Sequence, residues 1–230
     1  MSIPHLLRRM VPYSVKATLM CWKTISRDYG HLKSARTQSV IDAQGNPVPW
    51  FTYPAIEYLK QLDLSSRNVF EFGSGFSTLF WGKHCASVVS VEDHQKWYER
   101  IRKMAPHNAE CLFRPDRRTY SEAIQERNTT FDIIVIDGSH RHECAVLAKE
   151  RLAANGFFIL DNSDWFTRTA RFLREPNLIQ VDMSGLTPVN GYSSTTSFFL
   201  TRSVDLKPIN DDQPGYSPGS VRHTEANFDA

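Results

Sequence analysis

Residues 68–78 read Asn-Val-Phe-Glu-Phe-Gly-Ser-Gly-Phe-Ser-Thr, and the fold turns on this stretch. A short apolar run breaks on Gly73 and Gly75, one residue apart, and then meets Ser77 and Thr78, whose hydroxyls suit the start of a helix. The pattern is strand, tight turn and helix N-terminus. Glycines lack a Cβ, so the backbone at Gly73 and Gly75 bends sharply and a ligand can approach the main chain around Ser74. A dinucleotide fold would place G-x-G-x-x-G here to hold a pyrophosphate, but its third glycine would fall at Thr78. Two glycines between a strand and a helix also arise as packing punctuation.

The surrounding chain repeats the theme. Upstream, Thr52 is placed to cap a helix that tolerates Pro54 in its first turn and carries Ile56, Leu59 and Leu62 at helical spacing. Downstream, the spacing predicts a short helix ending at Gly82 and a strand from Ser87 to Val91 closed by Glu92. A helix capped by Asp93 follows, with Trp97, Ile101 and Met104 on one face. A weak strand at Cys111–Phe113 and a helix near Tyr120–Ile124 lead to the strongest strand, Phe131–Ile136, closed by Asp137-Gly138. A helix from Glu143 to Leu152 is expected to stop at Asn155-Gly156, before a strand at Phe157–Leu160 closed by Asp161-Asn162. Strands this apolar, alternating with helices, predict an α/β doubly wound, mostly parallel sheet covered on both faces. Leu178–Met183 and Thr196–Leu200 are separated only by a loop and are expected to form an antiparallel pair at the sheet edge.

At 230 residues, with 41% hydrophobic and 23% charged residues, the chain suits one soluble globular domain with extensions. The expected divisions are a basic N-terminal arm and loop (1–50), the domain proper (51–202) and a loosely held polar tail (203–230). A net charge of +2 gives no general attraction to nucleic acid. The arm is nevertheless strongly basic, carrying Arg8, Arg9, Lys16, Lys23, Arg27, Lys33 and Arg36 against Asp28. Interleaved with Leu6, Leu7, Leu19, Met20 and Trp22, it could make weak contact with a membrane surface, although a solvated helical extension is the favoured reading. No apolar run is long enough to cross a membrane, and Cys21, Cys85, Cys111 and Cys144 form no C-x-x-C pair, so reduced thiols in the cytoplasm are expected. Monomer and homodimer both stay open.

Ligands of open parallel sheets bind beyond the carboxyl ends of the strands, and acids cluster there. Glu71 precedes the glycine turn and is expected to face a ligand, where a carboxylate suits a cationic amino-acid end such as the ammonium of S-adenosylmethionine. The run Glu71-x-Gly73-x-Gly75-x-Ser77 resembles the first motif of class I S-adenosylmethionine-dependent methyltransferases, with serine in place of the last glycine. The resemblance covers roughly 52–201. It implies that Glu71, Gly73, Ser74, Gly75 and Ser77 hold the methionine end and that the last strand is antiparallel. Glu92, one strand further on, could accept both ribose hydroxyls. Asp137 and Gly138, which close the fourth strand, are expected to contact the cofactor as well.

Asp137, Asp161 and Asn162 sit at the ends of two strands that neighbour each other in such a sheet, about 5 Å apart. Hard oxygens gathered this way suit Mg²⁺. The arrangement is similar to that of metal-dependent O-methyltransferases of the catechol, caffeoyl-CoA and macrocin type, which implies methyl transfer to a hydroxyl of a small-molecule acceptor. The same likeness implies that His140, three residues past Asp137, is the proton acceptor. Alternatively, Asp137 contacts only the cofactor, Asp161-Asn162 caps the helix near Trp165, and His140 anchors its loop. His140, His142 and Cys144 also spell His-x-His-x-Cys but lack a fourth zinc ligand. Trp50, Tyr53, Trp165 and Tyr192 are loop aromatics that could wall an acceptor or adenine. A noncatalytic cofactor-binding scaffold and, less favoured, a nicotinamide oxidoreductase are the other function classes open.

Overall fold

The computed structural model describes residues 11–174, 177–210 and 213–221. Its strands are β1 (Asn68–Phe72), β2 (Ser87–Glu92), β3 (Ala109–Phe113), β4 (Phe131–Ile136), β5 (Leu152–Leu160), β6 (Ile179–Leu186) and β7 (Ser193–Leu200). They form one seven-stranded sheet in the order β3-β2-β1-β4-β5-β7-β6. β1 pairs in parallel with both β2 and β4, β4 with β5, and β2 with β3, whereas β7 runs antiparallel between β5 and β6. This is the α/β, mostly parallel architecture expected, with its antiparallel strand at one side.

The helices are α1 (Tyr13–Lys23), α2 (His31–Thr37), α3 (Tyr53–Leu59), α4 (Phe76–His84), α5 (Gln95–Met104), α6 (Arg117–Glu122), α7 (Arg141–Ala148) and α8 (Thr167–Arg174). Successive strand residues point to opposite faces, and the core divides accordingly. Val69, Ile133, Val135, Phe157, Ile159 and Phe198 pack beneath α3 and α4, while Phe70, Ile134, Ile136, Phe158, Leu160 and Phe199 pack beneath α7 and α8. Every residue of β4 except Asp132 is buried. Each such side chain stabilises the fold by roughly 1.5–3 kcal/mol, so the central strands are the least negotiable part of the chain. Strand order reverses between β1 and β4, and the loops leaving β1, β2, β4 and β5 meet above that point.

Several local expectations are corrected. α4 continues through Gly82 to His84, because burial of Leu79, Phe80 and Trp81 outweighs the roughly 1 kcal/mol helix penalty of one glycine. His94 rather than Asp93 caps α5, its Nδ1 accepting from Trp97 N at 3.3 Å. Met104 is half exposed, so Ile101 is the buried residue of that face. α7 ends at Ala148, and β5 begins at Leu152 and runs through Asn155-Gly156 with a register shift against β4. Pairing with Phe131 captures Leu152, which local spacing assigns to the helix.

The core also begins before Trp50, since Val40 and Val48 are buried beside Phe51. Within the arm, α1 buries no residue. A π-helical turn over Thr24–Asp28 and α2 do dock. The Tyr29 ring lies 4.6 Å from that of Tyr53 and its hydroxyl bonds Glu57. Ser34 Oγ donates to Ile41 O at 2.6 Å and accepts from Ile41 N at 3.2 Å. The tail is less loose than expected: Lys207 O accepts from Asp63 N at 2.8 Å, Ile209 N donates to Gln61 O at 2.9 Å, and Leu206 packs on the core. The earliest arm residues, including Leu6, Leu7, Arg8 and Arg9, and the last tail residues, 222–230, lie outside the described residues. No helix among the described residues is long and apolar enough to cross a membrane.

Candidate active site

The turn after β1 is built for backbone to meet backbone. Gly73 has φ +93°, a left-handed conformation that favours glycine, and a Cβ there would lie 2.9 Å from the Gly138 Cα. The β1 and β4 loops therefore touch, glycine against glycine. Thr78 closes the turn: its hydroxyl accepts from Gly75 N at 3.0 Å and donates to Glu71 at 2.5 Å. This is why the third-glycine position of a dinucleotide motif holds threonine here. Phe76 N and Ser77 N, in the first turn of α4, have no acceptor among the described residues. They face an anion-binding position at a helix N-terminus.

Glu71 does not face a ligand. It is fully buried, takes hydrogen bonds from Thr78 and from Trp81 Nε1 at 3.3 Å, and lies under the turn rather than along the cleft. Burial pushes its carboxyl up to about 8 against the pull of its hydrogen-bond donors. The strand alternation that buries Glu71 explains the correction: an acid two residues before the turn points into the sheet face, and only the turn itself reaches the ligand side.

Glu92 does line the cleft. Ser74 N and Ser74 Oγ donate to one carboxylate oxygen at 3.0 and 3.1 Å, and Asp93 N and His94 N donate to the other at 3.1 and 2.9 Å. Four donors match the roughly four lone-pair sites of a carboxylate. Glu92 thus ties the β1 and β2 loops together, and a ribose reaching it would displace the Ser74 hydroxyl. Burial raises its pKa against these hydrogen bonds.

At the ends of β4 and β5 the organising residue is Arg141, which motif spacing did not single out. Its Nε donates to Gly138 O at 3.0 Å, Nη2 to Asp137 O and Asp137 Oδ1 at 3.1 Å each, and Nη1 to Asp161 O. The guanidinium lies 4.3 Å from the centroid of the Phe166 ring. It straps the two strand ends together. Asp161 is buried, with Oδ1 accepting from Thr196 Oγ1 at 2.6 Å. Burial first, then the neighbouring Asp137 charge, raises Asp161 well above the usual carboxylate range. Burial likewise lifts Asp137 to about 6, outweighing Arg141. Asn162 sits at φ +50° with its amide Nδ2 donating to Ser194 Oγ at 3.2 Å.

Asp137, Asp161 and Asn162 are therefore brought together, but around a guanidinium. A divalent ion among them would meet the fixed charge of Arg141 and compete with it for Asp137, so the donor set does not fit Mg²⁺. No group of three His, Cys, Asp or Glu side chains suited to a metal occurs among the described residues. His140 is also displaced. It is exposed, precedes α7 with φ +52°, and lines a neighbouring groove rather than the cleft.

The cleft has a volume of about 410 Å³, within the range of small-molecule sites. Gly73, Ser74, Gly75, Ser77, Glu92, Asp137, Gly138, Asp161 and Asn162 all line it. Trp50, Trp165 and Tyr192 form an exposed aromatic rim, the last two stacked at 6.0 Å, whereas Tyr53 belongs to the core. Sequence reasoning missed Arg141, Trp97 and Thr196. The acid at Asp137 four residues before the base at Arg141 is the one local signal that could have pointed to it. Trp97, whose Nε1 donates to Ser74 O, and Thr196 had no local signal.

Residues 70–163 match the family model described as a methyltransferase domain. Over that segment, less than half of the chain, the protein is similar to a methyltransferase domain. Its sheet order is the mostly parallel one, with an antiparallel strand, that this similarity implies. Similar solved structures include the O-methyltransferase TomG of Streptomyces achromogenes in complex with SAM, 14% identical with TM-score 0.53, over 78% of this chain and 90% of that one. An O-methyltransferase from Bacillus cereus is 17% identical with TM-score 0.54, over 69% and 86%. The precorrin-6y C5,15-methyltransferase of Geobacter metallireducens is 12% identical with TM-score 0.51, over 64% and 86%. At these identities the likeness is one of fold. No curated protein matches the sequence significantly. The chain places its cleft at the reversal of strand order between β1 and β4, as ligand sites of open parallel sheets require.

Proposed function

We propose that the protein moves a methyl group from S-adenosylmethionine to a hydroxyl of a small molecule, with the carboxyl of Asp161 rather than a metal ion taking the proton. The observation that carries this is the meeting, in one cleft, of the Gly73–Ser77 turn, Glu92 and the buried Asp161. The residues present fit the cofactor: free backbone N–H groups of Phe76 and Ser77 suit its carboxylate, and Glu92 suits its ribose. Bound there, it supplies an electrophilic methyl on a sulfonium. The chain must then align an acceptor oxygen and remove its proton.

Asp161 is placed for the second task. Thr196 holds its Oδ1, and Arg141, bonded to the Asp161 carbonyl, holds the backbone that carries it. Once ionised, a carboxylate whose pKa is raised is a stronger base than an ordinary one. The aromatic rim of Trp50, Trp165 and Tyr192 excludes water from the acceptor side and offers it flat apolar surface. No step is assigned to His140, because its imidazole opens onto another surface.

Calorimetry with S-adenosylhomocysteine and NADH, followed by turnover with labelled S-adenosylmethionine and a panel of hydroxylated acceptors, tests the proposal. S-adenosylhomocysteine is expected to bind and NADH not to. Asp161→Asn is expected to lower turnover about 10²-fold or more while leaving S-adenosylhomocysteine affinity in place. Full turnover in Asp161→Asn removes the assigned proton acceptor, and folded protein that binds no S-adenosylhomocysteine at millimolar concentration removes the proposal altogether.

A further inference from the structure

Beside the cleft, α7 and α8 enclose a second groove of about 650 Å³. Arg141 and Trp165 line both, so the two are adjacent and share a wall. The groove is markedly basic for a chain of net charge +2: Arg117, His140, His142 and Arg168 line it with Arg141, against Glu143. Glu143 is already engaged, accepting from Arg117 Nε at 2.7 Å. Arg168 is exposed and has no carboxylate partner among the described residues.

Two further observations sharpen the picture. His142 Nδ1 is buried in the groove wall without a hydrogen-bond partner among the described residues, a condition that is unfavourable when nothing compensates it. Burial and the positive charge of Arg168 both lower the pKa of His142, which favours its neutral imidazole; Arg117 and Arg141 are paired with Glu143 and Asp137, so the cation left without a carboxylate among the described lining residues is Arg168. Val146, Trp165 and Phe166, all exposed, add apolar surface to the groove lining.

We infer that this groove binds a tetrahedral oxyanion, a phosphoryl or sulfuryl group borne by the methyl acceptor, and so selects acceptors that are anionic at the end remote from the methylated hydroxyl. Arg117 and Arg168 reach the groove from different elements, so they can engage separate oxygens of one group. Guanidinium forks bind such oxygens through paired hydrogen bonds. A carboxylate offers only two oxygens in one plane and leaves one side of the groove unmatched. The assignment of the anion to the acceptor rests on the methyl-transfer proposal; anion binding by the groove does not.

The test is imidazole NMR of the full chain titrated with pyrophosphate at fixed ionic strength. Saturable shifts are expected for His140 and His142, with His31, His84 and His107 unmoved. Arg168→Ala and Arg117→Ala should each weaken binding at least about tenfold, the loss of one charge-assisted hydrogen bond, and Arg168→Lys should recover part of it. Neither variant should alter S-adenosylhomocysteine affinity. Parallel titrations with sulfate, methyl phosphate and acetate separate the sources: acetate binding as well as the tetrahedral anions overturns the assignment. So do shifts that never saturate, that appear equally at all histidines, or that persist unchanged in both alanine variants, each of which describes a merely solvated basic face. If S-adenosylhomocysteine fails to bind the same sample while pyrophosphate binds, methyl transfer falls and the oxyanion site stands.

Discussion

Glu71 and Glu92 show how one residue type at neighbouring strand ends takes opposite roles. Glu71 closes a dry network with Thr78 and Trp81 beneath the turn, while Glu92 gathers the donors of two loops at the cleft. For Glu71 the folded value of about 8 lies above the ordinary value of 4.5. Between those values the unfolded chain is ionised and the folded one keeps its proton, so stability falls as pH rises through this window and levels off above it. Each unit is worth about 1.4 kcal/mol. Glu71→Gln should therefore lose this part of the slope: thermal melts of variant and wild type should diverge in favour of the variant between pH 5 and pH 8, roughly. Parallel melting curves would mean that Glu71 is ionised in the folded state. Glu92→Ala should cost about 1–3 kcal/mol of S-adenosylhomocysteine binding by calorimetry, because it removes both the proposed ribose acceptor and the tie between the loops.

At the scale of elements, the arm divides between α1, which buries nothing, and the segment from Thr24 to Thr37, which does. Tyr29, bonded to Glu57 and set against Tyr53, is the anchor, and Ser34 holds the following strand-like segment at Ile41. We place the start of the folded unit near Thr24. Deletion through Lys23 should leave the denaturant midpoint nearly unchanged. Deletion through Thr37 should cost roughly 2–5 kcal/mol, since it strips an aromatic contact and several hydrogen bonds from α3. Equal midpoints for the two truncations would return the boundary to the loop after Thr37.

For the molecule as a whole, ligand and fold are linked. S-adenosylhomocysteine at a hundred times its dissociation constant should stabilise the protein by about 2.7 kcal/mol, a rise in Tm of roughly 5–10 °C. Chelators should change neither this shift nor turnover, because Arg141 already supplies the positive charge between the ends of β4 and β5. Turnover abolished by chelator and restored by Mg²⁺ would show that Arg141 moves aside for an ion.

The sequence by itself determined the layered sheet, its central strands and the glycine turn. Those signals are local: Phe131–Ile136 is too apolar to leave a face in water, and Gly73 marks a backbone conformation that side chains disfavour. It also marked Glu92, Asp137, Asp161 and Asn162, because acids at strand ends collect where a parallel sheet opens. Which way each side chain then faces was decided only by tertiary structure. Glu71 is buried because the strand alternation turns it under α4, and His140 leaves the cleft through a left-handed residue at the start of α7. The metal site inferred from three oxygen donors gave way to Arg141, whose guanidinium reaches two strand ends that are distant in sequence and adjacent only in the folded sheet. Long side chains such as this one choose among partners by proximity in space, which spacing along a chain does not encode.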